Sequence, residues 1–124
     1  MAMLSHKARV EDYVQEQILS GRWRPGDRID SVRDLAQALA VNANTVLRGY
    51  ARLKEAGVIA GQRGKGFVVA PSGWTKAHRI VQEELEDELP VLFRQMCLLG
   101  MTCEDLKVLF SDYKIRYNIE SFKD

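Results

Sequence analysis

The stretch Ser31–Val69, SVRDLAQALAVNANTVLRGYARLKEAGVIAGQRGKGFVV, decides the fold. Ser31 is a good helix N-cap, because its hydroxyl can accept a backbone N–H that a helix start leaves without a partner. Leu35, Ala36 and Leu39 then recur at helical spacing and predict an inward face. The segment Val41-Asn42-Ala43-Asn44 breaks that pattern. Asn42 or Asn44 can cap a following helix that runs to about Ala56, with Val46, Tyr50 and Leu53 as its inward stripe and Gly57 as its stop. Two short helices a few residues apart form a helix-turn-helix pattern. Val58-Ile59-Ala60 then reads as a short strand and Gly66-Phe67-Val68-Val69 as a second. Between them, Gly61-Gln62-Arg63-Gly64-Lys65 is a glycine-rich turn with two positive charges.

Working back toward the N-terminus, a further helix is expected from about His6 to Ser20. Ser5 is its candidate N-cap, and Val10, Tyr13, Val14 and Ile18 form one apolar face. Gly21 ends it. The segment from Arg22 to Asp27 is a turn, and Pro25-Gly26 at its centre is the type II signature. Three helices and then a hairpin with a basic tip give the element order of a winged helix. Tyr50, Trp23 and Phe67 are assigned to its core.

Toward the C-terminus, Pro71-Ser72-Gly73 reads as a linker. A long helix is expected from Thr75 to about Leu99, with an apolar stripe of Ile80, Leu85, Leu89, Leu92, Phe93, Met96 and Leu99. Pro90 lies inside it and lacks a backbone donor, so a kink or break is expected there. After Gly100, Thr102 caps a last helix, with Asp105 completing a capping box. Leu106, Leu109, Phe110 and Tyr113 are its expected buried face, and residues 115–124 form a tail without an assignment. The fold class expected is mainly α with a small β-hairpin: residues 1–70 as a winged helix-turn-helix, residues 71–124 as a helical hairpin. That hairpin is too apolar to stay bare, so it is expected to pack against its twin.

The totals fit. The chain has 124 residues and 28% charged residues, ordinary for a globular protein. Its net charge of +1 hides an asymmetry: residues 1–73 carry +4 and residues 74–124 carry −3. The positive half is where a polyanion would have to bind. No apolar run approaches the length of a membrane span, and no export signal is read at the N-terminus, so a cytoplasmic protein is expected. Cys97 and Cys103 are too few for a disulfide framework and read as small apolar side chains. Two histidines leave little room for a catalytic set, and the acidic run Glu83-Glu84, Glu86-Asp87-Glu88 reads as a solvated helix face rather than a metal site. No enzyme activity, metal or cofactor is expected.

At this point the chain resembles the DNA-binding domain of the GntR family of bacterial regulators. The resemblance rests on Pro25-Gly26-Asp27-Arg28-Ile29, then Ser31 and Arg33-Asp34-Leu35-Ala36. It continues through Val41, Thr45-Val46, Leu53 and Glu55-Ala56-Gly57-Val58-Ile59, and ends in Arg63-Gly64-Lys65-Gly66-Phe67-Val68-Val69. These parts fall in the family's order over about residues 8–70. The string Val41-Asn42-Ala43-Asn44-Thr45-Val46 and the short C-terminal extension resemble the YtrA-type subgroup. Length argues against the subgroups with a large ligand-binding or aminotransferase-like domain. The sequence departs from the family at three places. Asp30 stands where a proline usually precedes the serine, and Ala43 and Leu47 stand where arginines are common.

The resemblance implies a sequence-specific transcriptional regulator, usually a repressor, bound as a homodimer to an inverted repeat in double-stranded DNA. Arg33 is then a DNA contact near the start of its helix; otherwise it is a solvated charge facing Asp30 or Asp34. Asn42, Asn44 and Thr45 are caps, or caps that also face the groove. Arg48 is the nearest substitute for the missing arginines, and Ser31 marks a helix start of the kind that meets phosphates. Arg63, Gly64, Lys65 and Gly66 make the wing tip. The dimerisation set is Leu85, Leu89, Leu92, Phe93, Met96, Leu106, Leu109 and Phe110. A small-molecule effector at the dimer interface stays open, as does a winged-helix module that binds protein instead of DNA.

Overall fold

The computed structural model describes residues 6–117. Five helices and one hairpin follow in order: α1 His6–Leu19, α2 Val32–Leu39, α3 Ala43–Glu55, β1 Ile59–Gln62, β2 Gly66–Val69, α4 Gly73–Leu99 and α5 Cys103–Tyr117. The winged-helix order and the mainly helical class expected from the sequence are what the structure shows. Ser5, the expected cap of α1, lies outside the described residues. The chain forms two compact units that divide inside α4, between Arg79 and Ile80.

The core of the first unit is built from the expected stripes. Val10, Val14 and Ile18 of α1, Leu35 of α2, and Val46, Tyr50 and Leu53 of α3 are all at most 1% exposed. Ile29, Val58, Ile59, Val68, Val69 and Ala77 complete it. Two of the three aromatic residues assigned to the core sit at its margin, with Trp23 and Phe67 half-buried. Each rests edge-on against a tyrosine, Tyr13 with Trp23 and Tyr50 with Phe67.

Helix ends follow local chemistry. The Asp34 amide donates to Ser31 Oγ (3.1 Å) and the Asn44 amide to Asn42 Oδ1 (2.7 Å), so Asn42 rather than Asn44 caps α3. The turn after α2 needs a left-handed residue. Ala40 supplies it with φ of 56°, a conformation that costs an L-residue about 1–2 kcal/mol. The Val41 amide then donates to the Ala36 carbonyl and closes the helix-turn-helix corner.

The hairpin differs from its expected bounds. Val58 precedes β1, and the strand extends through Gln62, which pairs with Gly66. The turn shrinks to Arg63-Gly64-Lys65, closed by the Lys65 amide donating to the Gln62 carbonyl (2.9 Å). Ladder pairing of Gly61 with Phe67 accounts for the extension, since glycine does not prevent backbone hydrogen bonds. The segment read as a turn and loop also joins the sheet. The Gly26 and Ile29 amides donate to the Val69 and Phe67 carbonyls, the Val69 amide donates to the Asp27 carbonyl, and Arg28 bridges Val68. The wing thus has its far edge tied to the α1–α2 connection.

Pro71-Ser72-Gly73 is a tight turn fixed to the core. The Ala70 amide donates to the Val58 carbonyl and the Gly73 amide to the Ala70 carbonyl. Gly73 is already helical, and a Cβ there would lie 2.5 Å from the Val58 carbonyl oxygen.

In the second unit, α4 runs through Pro90, so of the expected kink or break the break does not occur. A proline inside a helix removes one hydrogen bond, and the long helix on either side retains its ladder. The helix ends at Gly100, with the Met101 amide donating to the Met96 carbonyl and the Gly100 amide to the Cys97 carbonyl, a Schellman arrangement. Thr102 and Asp105 form the expected capping box, with hydrogen bonds of 2.9 and 3.2 Å. The expected buried face of α5 is not buried within the chain. Leu109 is 54% exposed, Phe110 58% and Tyr113 39%, while Leu106 is half-buried. Ile115 to Tyr117 continue α5; residues 118–124 of the expected tail lie outside the described residues.

Two packing details are testable. A Cβ on Gly49 would lie 2.5 Å from Cγ1 of Val10, a stiff, fully buried side chain. Gly49→Ala therefore destabilises the protein by about 1–3 kcal/mol in denaturant unfolding, against a helix-propensity gain of about 1 kcal/mol. A rise in stability would show that α1 and α3 are not in close contact there. The second concerns Tyr50, whose hydroxyl donates to the Asp30 carbonyl (2.8 Å). Burial first, then the Asp30 carboxylate and Tyr13, hold its phenol well above the ordinary value of 10.0. The unfolded chain loses this proton near pH 10 and the folded chain only far above it. The stability it contributes is complete below pH 10 and is lost as pH rises beyond. Tyr50→Phe is expected to cost about 1 kcal/mol at neutral pH and to flatten the alkaline loss, measured by unfolding on both sides of pH 10.

Candidate nucleic-acid interface

The candidate residues fall into three groups, all in the first unit. Ser31 and Arg33 lie at the start of α2. Asn42 caps α3, and Asn44, Thr45 and Arg48 lie in its first two turns. Arg63, Gly64, Lys65 and Gly66 form the tip of the hairpin. All are exposed except Thr45, which is half-buried.

α3 has two distinct faces. Val46, Gly49, Tyr50 and Leu53 are buried, and the buried row fixes the helix against α1 and α2. The outward row is Ala43, Asn44, Leu47, Arg48 and Ala51, residues three or four apart that lie along one side. No acidic residue occurs in its first three turns. The helix start, with its positive dipole end, is therefore unopposed by local carboxylates. Asn42 is committed to capping through its side-chain oxygen, and Ser31 likewise, whereas Asn44 is an exposed residue of the outward row.

The structure separates cations held in ion pairs from exposed cations outside them. Arg52 is bound to Glu11 (2.9 Å) and Arg22 to Glu16 and Gln17. Among the described residues, Arg33, Arg48, Arg63 and Lys65 enter no ion pair. Arg33 lies in the same turn as Asp34 without pairing with it, and Asp30 leaves it alone as well. At the tip, Gly64 has φ of 80°, the value the third residue of a type II turn requires, and this glycine sets the direction of the charges beside it.

Two exposed residues on these surfaces were not among the DNA contacts expected from the sequence. Arg28 is carried on the extra edge beside β2 by its bridge to Val68. A pairing between a turn and a distant strand leaves no local signal in sequence. Leu47 is 48% exposed on the outward row of α3. Its alternation with the buried stripe was legible, but an exposed leucine carries no meaning until the opposite face is known to be covered.

Among the described residues, no group of three or more His, Cys, Asp or Glu side chains is placed to hold a metal ion. None of their helices is long and apolar enough to cross a membrane.

Comparison with known proteins agrees with this geometry. Residues 6–69 match the family model described as bacterial regulatory proteins, gntR family. The transcriptional repressor YtrA of Bacillus subtilis (strain 168) is 30% identical over 93 residues, 75% of this chain and 72% of that protein. A GntR family transcriptional regulator from Listeria monocytogenes has the same fold, with a TM-score of 0.68, 24% identity, and coverage of 90% of this chain and 97% of that one. The DNA-binding domain of AraR, solved in complex with an operator, superposes with a TM-score of 0.51 at 26% identity, covering 55% of this chain and 83% of that one. With a family match over more than half of its length and a winged-helix fold, this chain belongs to the GntR family of bacterial regulatory proteins, as a YtrA-like DNA-binding transcriptional regulator.

Proposed function

We propose that the protein is a repressor that binds an inverted-repeat operator as a homodimer. Residues up to about 70 read the DNA and the helices beyond hold two chains together. The observation that carries the reading is the set Arg33, Arg48, Arg63 and Lys65, exposed and outside any ion pair on three elements of one winged helix. Phosphate neutralisation by such side chains supplies affinity, while Asn44, Thr45 and Arg48 in the first turns of α3 have the chemistry to read base edges. Ser31, Asn42, Gly64 and Gly66 contribute as caps and turn residues that fix where those groups sit. The named role of YtrA as a repressor supports the sign of regulation.

Dimerisation is supported by apolar surface. Leu85, Leu92, Phe93, Leu109 and Phe110 are each at least 37% exposed in the single chain. Such a surface on a small unit calls for a partner. Leu89 and Leu106 are half-buried and Met96 is 9% exposed, so these three support the helices from within as well as facing a partner. A twofold pair of winged helices places two recognition helices about one DNA turn, roughly 34 Å, apart.

Binding of the full chain to a labelled duplex carrying its own promoter is expected to survive excess random DNA, with two chains per site. Affinity falls steeply with salt, and Arg48→Ala or Lys65→Ala each lowers the log–log salt slope by about 1. Retention of no DNA even at low salt would replace this reading with a protein-binding winged helix. Separately, Phe93→Asp with Phe110→Asp is expected to give monomers in analytical ultracentrifugation and to weaken operator binding at least tenfold, with the first unit still folded by circular dichroism. A variant that stays dimeric would move the interface elsewhere.

A further inference from the structure

The outward row of α3 mixes two kinds of side chain. Asn44 and Arg48 bring hydrogen-bonding groups, while Ala43, Leu47 and Ala51 bring only hydrocarbon. Leu47 is the largest of the three and sits at the centre, four residues after Ala43 and four before Ala51. It is 48% exposed, whereas Leu35 and Leu53 of the same helix pair are at most 1% exposed. It stands outside the buried stripe of α3. It is also the fifth residue of α3, within the N-terminal part of a recognition helix that meets base edges.

An isobutyl group makes no hydrogen bond. The major groove offers one apolar group for it, the C5-methyl of thymine, which distinguishes a T·A pair from every other pair at that edge. Against cytosine N4 or guanine O6 the same side chain would strip water from a polar atom and return nothing, so it also selects against those bases. Its neighbours complement it, because Asn and Arg bind adenine and guanine edges in two-bond geometry. We propose that Leu47 is a specificity-determining residue that reads the C5-methyl of a thymine in each operator half-site. The assignment rests on the DNA-binding reading of α3 given above.

The test replaces thymine by deoxyuridine, which removes only that methyl group and leaves base pairing intact. A duplex selected from a random library by the full wild-type chain is substituted at each thymine in turn, at symmetric positions of both half-sites. One position is expected to weaken wild-type binding by about fourfold per half-site, the size of one buried methyl group. Leu47→Ala is expected to bind the thymine duplex more weakly by a similar factor and to treat thymine and uracil alike at that position. An unchanged melting curve confirms its fold. If every uracil substitution is neutral for the wild-type chain, or if Leu47→Ala keeps the same discrimination, Leu47 is not a methyl reader. Selective binding with neutral uracil scans overturns this assignment alone; failure to select any duplex overturns the DNA-binding reading together with it.

Discussion

Tyr50 is the side chain on which the geometry of the winged helix depends. It is fully buried, lies edge-to-face with Phe67 of β2 at 5.3 Å, and donates its hydroxyl to the Asp30 carbonyl just before α2. One residue of α3 therefore locates the wing, the start of α2 and its own helix relative to one another. A buried phenol is costly unless its hydroxyl finds a partner, and here the partner is a backbone group at a helix start. A leucine at this position would supply the apolar contact but not the link to Asp30.

The other anchors act on the same helix. Gly49 lets α1 approach α3 closely enough for Val10 to fill the space a Cβ would take. Arg52 closes the contact from outside by pairing with Glu11. With one face held in this way, the opposite face has a fixed direction, and Asn44, Leu47 and Arg48 are presented by a rigid element rather than a loop. Rigid presentation is what base reading requires, since side chains must meet groove atoms within hydrogen-bond distance. The wing gains the same quality from its third edge, where the amides of Gly26 and Ile29 bind β2.

The second unit follows a different logic. Its helices are well formed locally, by a Schellman turn at Gly100 and a capping box at Thr102, yet no residue of α5 is buried in the single chain. Local hydrogen bonds fix where helices begin and end; they do not cover an apolar face. Pro90 shows the same separation, since loss of one backbone donor is absorbed by a long helix whose neighbouring turns stay bonded.

The sequence by itself determined the element order, the helix stripes of the first unit, the caps at Ser31 and Thr102 and the basic hairpin tip. These are local properties: each depends on residues within about one turn or on a period of 3.6 or 2. It also carried the family, through motifs spread in order from Pro25 to Val69. Only the tertiary structure decided which cations are spoken for, separating Arg52 from Arg48, because an ion pair between residues 11 and 52 joins distant parts of the chain. The same holds for the third edge of the wing, for Gly73 as part of α4, and for Leu47 as an exposed leucine. Each depends on what lies opposite in space, and sequence periodicity gives a residue's face without giving its neighbour.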